Sequence, residues 1–285
     1  MNAEQEHCTG LVRAADRGRY LSALLAPRTV RGGLMALYAL DSELAGIRAR
    51  ITEPLAGEIR LQWWRDTIGA LYLDDPDDPD EGGVHPVLNA LKPAIAAGKL
   101  PLSAFETMTE ARILDLYDDP IASMNELEGY FGETFGATTQ LASLILARGE
   151  DVGSGTAAGH AGVATGLVWV LRALPRHAAR GKLYLPADLL GRHGVSADKI
   201  VNGRTSPGLA AALGELRAKA HAHLADAVAA VAALPRAVLP AFATCALVPP
   251  YLRESERNAD PLRQPIEINP LSRQWRIWRA VRRGL

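Results

Sequence analysis

From Leu209 the apolar positions run Leu209, Leu213, Leu216, Ala220, Leu224, Val228 and Val231, at spacings of four, three, four, four, four and three. That rhythm draws one apolar stripe along a helix. Between Leu34 and Tyr72 the habit recurs at Leu34, Tyr38, Ala45, Leu61, Trp64, Ile68 and Tyr72. Val and Ile rarely alternate with polar residues, and no Asn-Gly or Asp-Gly hairpin signal appears, so strands are not expected. The pattern predicts an all-α chain.

Four segments interrupt the helical period. The stretch 74–83, DDPDDPDEGG, crowds acids with prolines and glycines and reads as a solvated loop. Its prolines break the alternating ligand positions that a calcium loop needs. KLPLS at 99–103, GEDVGSGT at 149–156 and NGRTSPG at 202–208 mark further helix junctions. None is long enough for an interdomain linker. One domain over residues 1–285 is expected, with 1–14 as a flexible N-terminus.

Composition narrows the function. Thirty-one Lys and Arg against 32 Asp and Glu leave a net charge of −1, which gives no global reason to seek nucleic acid. The two cysteines, Cys8 and Cys245, form no CxxC pair and fit neither a zinc site nor a disulfide framework. The opening residues, MNAEQEHCTGLVRAADRGRY, are polar where a secretory signal would be apolar. The longest apolar windows, Ala161 to Leu171 and Ala237 to Leu247, fall short of the roughly 20 residues of a spanning helix and read as buried core helices. A cytoplasmic protein is expected.

Two segments are more specific. RYLSALLAPRTVRGGLMALYALDSELAGIRARI (19–51) is followed by RLQWWRDTIGALY (60–72), and GLVWVLRALPRHAARGKLYLPADLLGRHGVS spans 166–196. Both resemble the squalene/phytoene synthase family, as do HPVLNAL (85–91), ILDLY around Asp115, and NELEGYFGETFGATTQLASLIL (125–146). The resemblance extends over about residues 15–285. It implies a single-domain antiparallel helix bundle of the isoprenoid synthase type with a central cavity. It also implies the head-to-head joining of two prenyl diphosphates.

That chemistry requires magnesium, which takes oxygen ligands and neutralises the departing pyrophosphate. In the family, acids four residues apart on two facing helices supply those ligands. The resemblance puts the first set at the positions of Ala45, Gly46 and Ala49, and the second at Ala173, Arg176 and His177. None of these is acidic, and Pro175 interrupts the second stretch. Asp41 lies one turn before Ala45, but Glu43 points about 200° away around the same helix, so the two cannot share a metal. Arg48, about two turns on from Asp41, would put positive charge in its place. No catalytic residue, no metal ligand and no cofactor are therefore expected, magnesium returning only if the chain is an active synthase.

What remains is a basic groove. Arg172, Arg180, Lys182 and Arg192 cluster around the second motif without the acids that would offset them. Tyr38, Asp41, Arg172, Arg180, Lys182 and Tyr184 are the candidate residues of a residual anion- or lipid-binding groove. His221 and His223, two apart on a helix, point to different sides and make no metal pair. The five tryptophans sit in helical context and read first as core or interface. The tail PLSRQWRIWRAVRRGL (270–285) places Leu271, Trp275, Trp278 and Val281 near one face, with arginines around them. It is expected either as a last bundle helix or as a surface for peripheral membrane contact.

Within the family, the loss of both acidic motifs resembles the branch that serves mitochondria as assembly factors of respiratory complex I. The expected function is a synthase-like assembly or interaction factor for a complex I-like respiratory complex, at the inner face of the membrane, with a protein partner and no nucleic acid. Two alternatives stand beside it: an active prenyl transferase making squalene- or phytoene-type products, and a non-catalytic prenyl or lipid binder.

Overall fold

The computed structural model describes residues 2–73 and 85–285; the acidic segment 74–83 lies outside the described residues. The chain begins with α1 (Ala3–Ala15), α2 (Arg17–Leu25), α3 (Arg28–Ala45) and α4 (Pro54–Ala70). Then come α5 (Pro86–Gly98), α6 (Leu102–Ala111), α7 (Ile113–Leu116), α8 (Met124–Phe131) and α9 (Ala137–Leu146). The long helices α10 (Gly155–Ala179) and α13 (Pro207–Val231) flank the short α11 (Ala187–Arg192) and α12 (Ala197–Val201). The chain closes with α14 (Leu239–Phe242), α15 (Val248–Arg257) and α16 (Pro270–Arg283). Among the described residues there is no strand, as the periodicity predicts.

Helix starts follow local chemistry. The side chains of Asn2, Asp16, Ser123, Ser206 and Asn269 each accept a hydrogen bond from a backbone N–H of the turn they open. Pro54, Pro86, Pro207 and Pro270 occupy first-turn positions, where no N–H is needed. Residues 3–14, expected as flexible, are instead the body of α1, packed on α3 and α5. Cys8 and Val12, one turn apart, are fully buried there. A stripe of two residues in a polar segment was too thin to register as a periodic pattern.

α10 and α13 pack along their length, and His160 early in α10 meets His223 late in α13, so the pair runs antiparallel. α10 is long and apolar enough to cross a membrane, yet most of it is buried within the bundle, as a core helix. It continues past Pro175 to Ala179, so that proline does not interrupt it. The window 237–247 is mostly buried but is not one helix; it breaks into α14 between turns of 3₁₀ geometry. On α13 the predicted stripe holds except at Val228, which is exposed.

Two apolar clusters fill the interior. One gathers α1, α3, α4, α5, α6 and α9, and the other gathers α8, α10, α13, α15 and α16; Leu224 packs against both. Elements of both contribute walls to the principal cavity.

Candidate functional site: an arginine-lined cavity

The cavity encloses about 510 Å³, within the range of small-molecule sites. α3 contributes Asp41, Ser42 and Ala45, with Gly46 just beyond its end. Across from them α10 contributes Thr165, Val168, Trp169, Arg172 and Arg176. Phe135, Leu247, Val248 and Tyr251 supply apolar surface, and Arg17, Arg19, Arg112 and Arg273 add positive charge. Positions from both motifs, Ala45 and Gly46 on one side and Arg176 on the other, thus line one space.

The carboxylates of this cavity are already engaged. Asp41, 5% exposed, accepts from Arg112 Nη2 at 2.7 Å and from Arg19 Nη1 on its other oxygen. Burial opposes its ionisation, but the Arg19 and Arg112 guanidiniums outweigh burial and hold its pKa below the usual carboxylate value. Asp16 caps α2 and lies 3.8 Å from Arg19 Nε. Glu267 lies 3.4 Å from Arg273 Nη2. Glu43 accepts from Arg50 Nη1 at 2.7 Å and is absent from the cavity lining, as its angle on the helix requires.

Magnesium does not fit this donor set. Octahedral coordination calls for free oxygen donors, whereas each carboxylate here faces an arginine. Among the described residues no group of three His, Cys, Asp or Glu side chains is placed to hold a metal ion.

Asp41 also begins a buried polar chain. Arg112 Nη1 donates to the Tyr130 hydroxyl at 2.9 Å and reaches Asp115 Oδ2 at 3.3 Å. Asp115 Oδ1 accepts from the hydroxyls of Tyr130, at 2.8 Å, and Tyr184, at 2.6 Å. Lys182 Nζ donates to the carbonyls of Leu114, at 3.1 Å, and Tyr117. Arg19, Asp41, Arg112, Asp115, Tyr130 and Tyr184 therefore tie α2, α3, the α6–α7 junction, α8 and the LYLP turn into one network.

The six groove candidates separate accordingly. Asp41 and Arg172 line the cavity. Tyr38 is buried with its ring centroid 5.4 Å from the Arg19 guanidinium, and supports that arginine from behind. Lys182 and Tyr184 brace the Asp115 turn, and Arg180 is exposed outside the cavity. Arg192 is remote as well, paired with Asp188 at 3.1 Å and Glu215 at 2.6 Å. Nor does Arg48 follow Asp41 around a helix: α3 ends at Ala45, a 3₁₀ turn follows, and Arg48 turns to Asp118 at 3.6 Å. Arg50 stabilises that ending by donating to the carbonyls of Glu43 and Gly46.

Sequence reading missed Arg17, Arg19, Arg112 and Arg273 as cavity residues, because three separate segments, α2, the end of α6 and α16, deliver them. One signal was available. Arg172 and Arg176 are four apart, so they share a face of α10.

An all-helical bundle with a cavity between facing helices is the architecture of the isoprenoid synthases. The chain belongs to the squalene/phytoene synthase family, whose model matches residues 12–276. Complex I assembly factor 6 of Mus musculus is 30% identical over 278 residues, covering 96% of this chain and 81% of that protein. Phytoene synthase of Thermus thermophilus is 30% identical over 212 residues, covering 74% and 69%. Among solved structures, a dehydrosqualene synthase superposes with a TM-score of 0.78 at 17% identity, over 98% of this chain and 95% of that one. Squalene synthase HpnC from Alicyclobacillus acidocaldarius gives 0.71 at 18% identity, over 89% and 90%.

Proposed function

We propose that this chain is a synthase-like protein that has lost prenyl transfer. It acts as an assembly or interaction factor for a respiratory complex of the complex I type, in the cytoplasm at the inner face of the membrane. The observation that carries this reading is the charge reversal in the cavity. Positions that the resemblance assigns to metal-binding acids are Ala45, Gly46 and Arg176, and the remaining carboxylates are bound to arginines. The complex I assembly factors among the relatives support the role outside the cavity. Purified protein with magnesium and labelled farnesyl or geranylgeranyl diphosphate should release no pyrophosphate. A strain deleted for the gene should lose much of its membrane NADH oxidation. EDTA-sensitive release would restore the synthase reading, and normal respiration in the deletion strain would end the assembly reading.

The surface of α16 supports a place at the membrane. The helix docks through Ile277 and Ala280, both buried. The apolar residues predicted to share one face are mostly not the docking face: Leu271 is 73% exposed, Trp275 55% and Trp278 44%. Trp275 and Trp278 are therefore not core. Arg279, Arg282 and Arg283 are exposed on the same helix, and the Arg279 guanidinium lies 5.7 Å from the Trp275 ring centroid. Tryptophans beside arginines suit the boundary between headgroups and acyl chains of an anionic bilayer. The protein should sediment with phosphatidylglycerol vesicles and much less with phosphatidylcholine vesicles. Trp275→Glu with Trp278→Glu should abolish sedimentation, and added salt should weaken it. Equal binding to both vesicle types, or an unaffected double variant, would rule out this contact.

A further inference from the structure

A second groove lies between α13 and the end of α15. It encloses about 410 Å³, within the range of small-molecule sites, and shares no lining residue with the arginine-lined cavity. Leu209, Leu213 and Arg217 line it from α13 at intervals of four residues, so they stand along one face of that helix. Leu209 and Leu213 are buried and supply apolar surface. Ser255 and Glu256 line the opposite side from α15. Ser255 is 7% exposed, yet its side chain has no hydrogen-bond partner among the described residues. A buried hydroxyl left unmet is costly, and a ligand that reaches it removes that cost. Arg217 is half-buried and likewise meets no carboxylate among the described residues. A Cβ added at Gly214 would lie 3.5 Å from its Nη2, so the guanidinium folds back along α13 toward Gly214 instead of reaching outward into water.

We infer that this groove holds a monocarboxylate with an apolar chain, its carboxylate on Arg217 and Ser255 and its chain on Leu209 and Leu213. A guanidinium takes both oxygens of one carboxylate at once, and a serine hydroxyl donates to it as well. The charge of the lining argues against a phosphate. Arg217 is the only cation that lines the groove, and Glu256 opposes it with no basic partner among the described residues, so a dianion would meet more repulsion than a monoanion. Two sources carry this chemistry: a free alkanoic acid, and the free C-terminus of a peptide that ends in an apolar residue. The inference does not rest on the assembly role, because that reading makes no use of this groove.

Calorimetric titration of the full-length protein tests it. The two probes are octanoate and an N-acetylated tripeptide ending in leucine, each compared with its neutral amide. At least one acid should bind, and its amide should bind much more weakly. Losing one charge-assisted pair, Arg217→Gln should weaken binding by about tenfold to a hundredfold, and Ser255→Ala by about twofold to tenfold. Arg172→Gln, in the arginine-lined cavity, should leave the affinity as it was. Circular dichroism and the melting temperature establish that each variant is folded. Binding of octanoate alone identifies a free acid, and binding of the peptide alone identifies a chain terminus. Four results would each overturn the site: no binding of either acid, an amide that binds as tightly as its acid, a folded Arg217→Gln variant with unchanged affinity, or equal weakening by Arg172→Gln, which would put the ligand in the other cavity.

Discussion

Arg112→Met should destabilise the protein by about 3–5 kcal/mol, read as a shift of the urea midpoint at constant slope. Arg112 is 4% exposed and joins Asp41, Asp115 and the Tyr130 hydroxyl. A methionine of similar length fills the space but leaves Asp115 without its cation and Asp41 with Arg19 alone. Desolvation is the larger part of that cost, because removing one partner strands a buried charge. Asp41→Asn should also destabilise, and the double variant should lose less than the sum of the two, since both changes break one pair. Strict additivity would show that the two groups are not coupled.

The same network sets an acid limit. The folded-state pKa of Asp41 lies below its unfolded value of 3.8, so its contribution is complete above that value and is lost as pH falls through the folded pKa. The stability difference between the native protein and Asp41→Asn should therefore be flat from about pH 5 to 8 and shrink below about pH 4. A difference that persisted unchanged to lower pH would remove Asp41 ionisation as the cause.

Gly162→Ala should cost about 3 kcal/mol, at the upper end for overpacking. A Cβ at Gly162 would lie 2.2 Å from the Gly136 nitrogen and 2.4 Å from its Cα. Those are backbone atoms of the π-helical turn Gly132–Gly136, so no side-chain rotation relieves the contact. α10 would have to move away from that turn, disturbing the wall that carries Arg172. Gly159→Ala supplies the control on the same helix, with no atom within 4 Å of the added carbon. There the intrinsic preference for alanine should stabilise by up to about 1 kcal/mol. Equal urea midpoints for the two variants would show that the close approach of α10 carries no constraint.

Both predictions rest on features of unequal legibility. The all-helical class was readable because long stripes such as Leu209 to Val231 repeat the helical period over many turns. The positions that the resemblance assigns to the acidic motifs were readable because Ala45, Gly46 and Arg176 lie at fixed distances from recognisable strings, and the structure places all three on the cavity. That Glu43 faces away from Asp41 followed from its angle on the helix, whereas its pairing with Arg50 did not. By contrast, α1 escaped notice because its buried side is just Cys8 and Val12, and α16 left two readings open because a helix can have two apolar faces. Burial of Ile277 and Ala280 decides which of them meets the bundle.

The sequence by itself determined the helical class, the family and the absence of acids at the motif positions, since those are properties of local period and residue identity. Only the tertiary structure decided which arginines meet a carboxylate. Arg19, Arg112 and Arg273 come from α2, the end of α6 and α16, and each meets a carboxylate, whereas Arg172, among the described residues, pairs with no carboxylate and lies over the Tyr251 ring. Ion pairing between distant segments depends on distances of a few ångströms across packed helices, and no spacing along the chain encodes them.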